Sequence, residues 1–76
     1  MSVRLVFLGK LADLAGASER EVAAPLDWPG LLAELGERLT GEKVKLAVNG
    51  NVLSDKTALA AGDGDEVALL PPVSGG

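Results

Sequence analysis

The 76-residue chain contains no cysteine, no histidine and no tyrosine, with one tryptophan and one phenylalanine. Without cysteine there is no disulfide, no thiolate nucleophile, no persulfide and no thiolate metal site. Without histidine both the commonest metal ligand and the commonest general base are missing, and a Ser-His-Asp triad is impossible. Positive charge is scarce: seven basic against eleven acidic side chains give a net charge of −4. That balance argues against nucleic acid, which needs a basic footprint. It is an ordinary solubility charge, with a basic partner surface as the alternative. No apolar run approaches the roughly 20 residues of a membrane span. The opening run Leu5 to Leu8 is shorter than a signal-peptide core, so the cytoplasm is the expected compartment. A chain of this length makes one domain and buries only about 60% of its unfolded surface. That leaves little room for a substrate pocket of about 300–1,000 Å³. A carrier, an adaptor or a small subunit fits better than a free-standing enzyme.

The patterning alternates between strand and helix periods. Val3, Leu5 and Phe7 alternate with Arg4, Val6 and Leu8, a strand apolar on most of both faces. Lys10 to Gly16 reads as a short helix with Leu11, Leu14 and Ala15 on one face and Gly16 as its C-cap. Glu19 to Ala24 reads as a strand with Val22 inward and Glu19 and Glu21 outward. Pro25 to Gly30 is a turn that launches the main helix, with Asp27 as N-cap and Pro29 in the first turn. Trp28, Leu31, Leu32, Leu35 and Leu39 follow the i, i+3, i+4, i+7, i+11 stripe, with Glu34, Glu37 and Arg38 on the wet side and Gly41 ending the helix. Val44, Leu46 and Val48 form the inner face of a strand, with Lys43 and Lys45 outward. Asn49-Gly50 is a strong hairpin turn leading to a short strand, Asn51 to Leu53. Ser54 to Ala61 is a turn or a single helical turn, and Gly62-Asp63-Gly64 leads into a last strand, Asp65 to Leu70. One amphipathic helix on one mixed sheet is the two-layer solution for this size.

The closing segment Pro71-Pro72-Val73-Ser74-Gly75-Gly76 carries the chemistry. Prolines favour an extended, stiff segment and lower the entropy cost of ordering it. Two glycines then present a carboxylate without beta-carbons, a shape that threads a narrow tunnel in another protein. The plainer reading is a frayed terminus. Gly9-Lys10 and Gly62-Asp63-Gly64-Asp65 match neither a Walker loop nor a dinucleotide fingerprint and are read as turns. Asp63, Asp65 and Glu66 lack calcium-loop spacing and read as a solvated acidic turn. If Phe7, Val67 and Leu69 face the helix, then Val6, Leu8 and Leu70 face away, leaving an apolar patch at the root of the tail.

The segment Gly64 to Gly76, with its Pro-Pro-Val-Ser-Gly-Gly ending, resembles the carboxy-terminal signature of the small subunits of molybdopterin synthases. Ala47-Val48-Asn49 and the Val3–Leu8 strand followed by the helical turn Leu11 to Gly16 extend the resemblance over nearly the whole chain. Relatives often carry aromatic residues where this chain has Leu69 and Leu70. The resemblance implies an α+β, ubiquitin-like β-grasp: a domain over residues 1–70 and an extended, flexible Gly-Gly tail over 71–76. It implies that the Gly76 carboxylate is adenylated with ATP by an activating enzyme and becomes a thiocarboxylate, with Gly75 giving access. The large synthase subunit would accept the tail, in a heterotetramer, and supply the catalytic pocket. The chain alone would hold no cofactor, no metal and no activity. Interface positions implied are Leu8, Val52, Leu70, Pro71, Pro72 and Val73, with Val52 resting on family position alone.

Three other readings stand beside this one. A carrier of sulfur for the thiamine thiazole or for tRNA thiolation shares the fold and the Gly-Gly end. A protein modifier would ligate Gly76 to lysines. A structural interaction module would not need Gly76.

Overall fold

The computed structural model describes residues 1–36, 39–41 and 43–71. The elements run β1 (Ser2–Phe7), α1 (Lys10–Ala15), β2 (Glu19–Ala23), β3 (Leu26–Asp27), α2 (Trp28–Leu35), β4 (Lys45–Val48), β5 (Asn51–Val52), a 3-10 turn (Lys56–Ala58), β6 (Ala60–Ala61) and β7 (Glu66–Leu70). A five-stranded mixed sheet has the order β2-β1-β7-β4-β5. β1 runs parallel to β7, and every other neighbouring pair in that sheet is antiparallel.

Strand period 2 makes the register decide the faces. Leu5 lies opposite Val67, and Phe7 and Leu46 both lie opposite Leu69. These five side chains, with Val3, Val22 and Leu31 of α2, form one buried cluster. Each buried Leu, Val or Phe removes enough apolar surface to contribute about 1.5–3 kcal/mol. Asp27 caps α2 as its sequence suggests, its Oδ1 accepting from Gly30 N–H at 2.9 Å. Asn49 (φ 50°) and Gly50 (φ 88°) are both left-handed, the hairpin geometry that matches strand twist.

Three expectations need correction. α2 stops at Leu35, one turn and a half before Gly41, because Gly36 adopts φ 77° and its N–H closes on Leu32 O at 2.8 Å. Leu39 is buried all the same, from a loop in which Thr40 Oγ1 donates to Gly36 O at 2.6 Å. Glu37 and Arg38 lie outside the described residues. Leu14 does not share the buried face of α1 but is 46% exposed. At roughly 100° per residue, Leu11, Ala15 and Ala12 span the arc that meets the core, and Leu14 lies off its edge. Finally, Ser54 to Ala61 holds more than a turn: Ala60–Ala61 pairs with Leu26–Asp27 in a second, two-stranded sheet.

A lysine closes the loop end of the core. The half-buried Lys56 ammonium donates to the carbonyls of Gly41 and Val44 and sits 5.5 Å from the centre of the Trp28 ring. It ties the 3-10 turn to the chain entering β4.

Candidate functional site

β7 is the middle strand of five, hydrogen-bonded to a neighbour on each side, and it is the strand from which the tail leaves. Leu70 lies opposite Lys45 of β4, while on the other flank Leu8 N–H donates to Leu69 O at 3.3 Å. The tail therefore departs between Leu8 and Lys45. Its first residue, Pro71, is half-buried against Gly9. Gly9 has φ +57°, and a beta-carbon there would stand 3.3 Å from Pro71 Cγ. Glycine suits that position, because the backbone conformation is one that L side chains rarely adopt and a beta-carbon would press on the Pro71 ring.

The outer face of the sheet carries a cross-strand apolar row. Val6 lies opposite Ala68, Ala68 opposite Ala47, and Ala47 opposite Val52. Two alanines between two valines make a shallow trough, whose floor lets another backbone approach closely. Val52 is 58% exposed and Leu8 is 41% exposed, whereas Ala47 is only 5% exposed although its neighbour Leu46 faces the core. Leu70 stands half-buried at the tail end of this face. At the other end lies a charged row, where Arg4 approaches Glu19 (Nε to Oε1, 3.6 Å) and Glu66 (Nη1 to Oε2, 3.9 Å). All three side chains are about half exposed, so solvent screens these pairs and they set a polar rim more than they stabilise the fold.

Across known proteins, the ThiS family matches residues 5–76 of this chain. The chain belongs to the ThiS family. It is 34% identical to the molybdopterin synthase sulfur carrier subunit of Escherichia coli (strain K12), in an alignment of 84 residues that takes in 97% of this chain and 99% of that protein. Among solved structures, the complex of subunits 1 and 2 of molybdopterin-converting factor from Helicobacter pylori contains a chain 28% identical, with TM-score 0.70 and full coverage of both chains (100% and 100%). SAMP1 from Haloferax volcanii is likewise 28% identical, with TM-score 0.68 and 100% of both chains covered. The ThiS-family fold seen here is the ubiquitin-like β-grasp, one main helix on a mixed sheet.

In this ThiS-family chain the carboxylates of the turn before β7 are committed to the fold. Asp65 Oδ2 accepts from Gly62 N–H at 2.8 Å and its Oδ1 accepts from Asn49 Nδ2 at 3.0 Å. These bonds, the Gly62 one foremost, hold the Asp65 carboxyl below the usual range. Asp63 accepts from Ser2 N–H at 2.8 Å. Asp55, which accepts from the hydroxyl and then the N–H of Thr57, is lowered in the same way. Among the described residues no group of three or more potential His, Cys, Asp or Glu ligands gathers in one place, and no helix is long and apolar enough to cross a membrane.

Of the positions expected at an interface, Leu8, Leu70 and Pro71 meet at the tail root, and Val52 lies on the outer face at the far edge strand. Pro72, Val73, Gly75 and Gly76 lie outside the described residues. Sequence reasoning missed Ala47 and Ala68, which floor the trough. Their outward parity follows from Leu46 and Leu69 being inward, but a small apolar residue reads alike on either face until the partner strands are known.

Proposed function

We propose that this chain is the sulfur-carrying small subunit of a molybdopterin synthase, a cytoplasmic carrier that reacts through its own main-chain terminus. The observation that carries the reading is the near end-to-end similarity to a sulfur carrier subunit; this chain's own Gly-Gly end, following a last strand at the centre of the sheet, agrees with it.

The chemistry follows from what a carboxylate lacks. Its charge repels nucleophiles, so the Gly76 carboxylate first attacks the α-phosphorus of ATP, forming an acyl-adenylate and releasing pyrophosphate. A sulfide equivalent then adds to the uncharged acyl carbon and expels AMP, which leaves a thiocarboxylate. That sulfur becomes the nucleophile toward the pterin precursor inside the large subunit. With no Cys or His of its own, the chain supplies the cargo and the stalk, and the partner supplies acid, base and pocket. Gly75 lets the stalk pass a narrow channel, and Pro72 and Val73 line its entrance. Leu8, Leu70, Pro71 and Val52, with Val6, Ala47 and Ala68 between them, form the docking face.

The test is intact mass spectrometry after incubation with ATP, an activating enzyme and a sulfur donor. The product exchanges one oxygen for one sulfur, is blocked by thiol-selective alkylation, and is absent from a chain lacking Gly76. An activating enzyme shown to work on its own carrier, yet giving no alkylatable product here, overturns the reading. A second reading, a protein modifier, is favoured by the similarity to SAMP1, described as a small archaeal modifier protein. Conjugates of higher mass that carry this chain in cells, and that vanish when Gly76 is removed, would establish it.

A further inference from the structure

Charge in this protein is sorted along β7. At the end where β7 begins stand Asp63, Asp65 and Glu66. At the end where it gives way to the tail, three lysines stand on the segments that flank the root. Lys45 lies directly opposite Leu70. Lys43 precedes it by two residues at the same end of β4, and Lys10 opens α1 directly after Gly9, which packs on Pro71. All three lysines are exposed. The ion pairs recorded among the described residues involve the amino terminus, Arg4 and Arg20, and none of these three lysines. Two described carboxylates lie near this end, Asp13 on α1 and Asp55, which is turned onto Thr57, and Glu42, next to Lys43 in the sequence, lies outside the described residues. The chain is acidic overall, yet its tail end presents cations.

We propose that Lys10, Lys43 and Lys45 form a cationic collar that steers the protein tail-first onto a partner whose tail-accepting opening is rimmed by carboxylates. The partner is the one named by the carrier reading, and the collar rests on that reading. Reach separates the two functions. A fully extended tail of residues 71–76 spans about 20 Å, at 3.3–3.6 Å each, which is beyond the reach of a lysine at the root once the tail is threaded into a partner. The collar therefore acts on the approach and on the rim, and takes no part in acyl transfer. Opposite charge facing a rim raises the local concentration of correctly oriented encounters, by about 10- to 1,000-fold in association rate at low salt. The separation of collar from acidic turn, roughly 13 Å along β7, gives the molecule a charge axis aligned with that strand.

The experiment is stopped-flow association of the full chain with the large subunit across ionic strength. Lys10→Glu, Lys43→Glu and Lys45→Glu combined lower the association rate at least about tenfold near 0.01 M salt, and the deficit disappears near 1 M, where the screening length falls to about 3 Å. Dissociation stays within about twofold, as expected for charges at a rim. Lys→Arg at the same positions restores the rate. Should the triple variant fold poorly, Lys43→Glu alone shows a smaller shift of the same sign and salt dependence. An unchanged association rate with an unchanged salt slope overturns the collar, and if the thiocarboxylate still forms, the carrier reading stands without it. A chain lacking Gly76 associates at the wild-type rate under this proposal. Normal association without any thiocarboxylate on the full chain overturns the carrier reading instead, and a complete lack of association overturns both.

Discussion

Replacing Val52 by Asp separates docking from folding. Val52 sits on edge strand β5, opposite Ala47, and 58% of it is exposed in the free chain. Complete burial of a valine side chain is worth about 1.5–3 kcal/mol, so the part still available to a partner is worth roughly 1–2 kcal/mol. Losing it weakens binding about 5- to 30-fold. An aspartate set against the alanine floor adds the cost of desolvating a carboxylate, which moves the loss to the upper end of that range or beyond. The free chain should hardly notice. A solvent-facing strand substitution changes stability by less than about 1 kcal/mol, or up to about 4–8 °C in Tm for a domain of this size. Calorimetric titration against the large subunit, with a thermal melt of each variant, reads both quantities. Ala33→Asp is the control, since Ala33 is exposed but sits on α2, which packs on the opposite face of the sheet. Binding of Val52→Asp within about twofold of wild type would refute the outer face as the docking surface. Equal losses for both variants would show that the assay reads general solubility.

Three further outcomes test the framework. Gly9→Ala, which meets both a left-handed backbone and Pro71, lowers stability by about 1–3 kcal/mol in urea titration, and a smaller cost would mean that the tail root relaxes freely. Leu69→Ala, on the central strand and fully buried, costs about 2–5 kcal/mol, enough to show a large populated unfolded fraction by circular dichroism. The Asp65 carboxyl, held below its unfolded range by Gly62 and Asn49, adds stability that is fully present above the unfolded value near 4 and is lost as pH falls through the lower folded value. Melts between about pH 2 and 6 should therefore fall more steeply for the wild type than for Asp65→Asn, and parallel curves would contradict the assignment.

What the sequence disclosed was mostly what one strand or helix states about itself. Val3, Leu5 and Phe7 declare a buried strand face, Asp27 a cap, and Asn49-Gly50 a turn, and each is found as read. The misreadings arose where two local signals competed or where the answer lay in a distant partner. The helix stop reads as Gly41 because Leu39 continues the apolar stripe, whereas the helix ends at Gly36. Leu39 is buried for tertiary reasons, from outside the helix. Ala60 and Ala61 carry no strand signal of their own and became a strand through pairing with Leu26 and Asp27. The outer face proposed for docking was half legible for the same reason. Leu8 and Leu70 followed from alternation, but the trough between Val6 and Val52 exists only because four strands bring their small and branched residues into one row.

The choice of strand bears on function. A tail hung on an edge strand could be tugged loose one residue at a time, since an edge has one ladder to lose. On β7 it is held on both flanks, at Leu69 by Leu8 and along β4 up to the Lys45–Leu70 pair, and Pro71 is fixed against Gly9. The point from which the chain leaves β7 is thus held by hydrogen bonds on both flanks and by packing at Pro71. The proposed carrier needs no reaction chamber of its own, because the core fixes the root of the tail at Pro71 and the acyl chemistry proposed for Gly76 is completed in the protein that receives it.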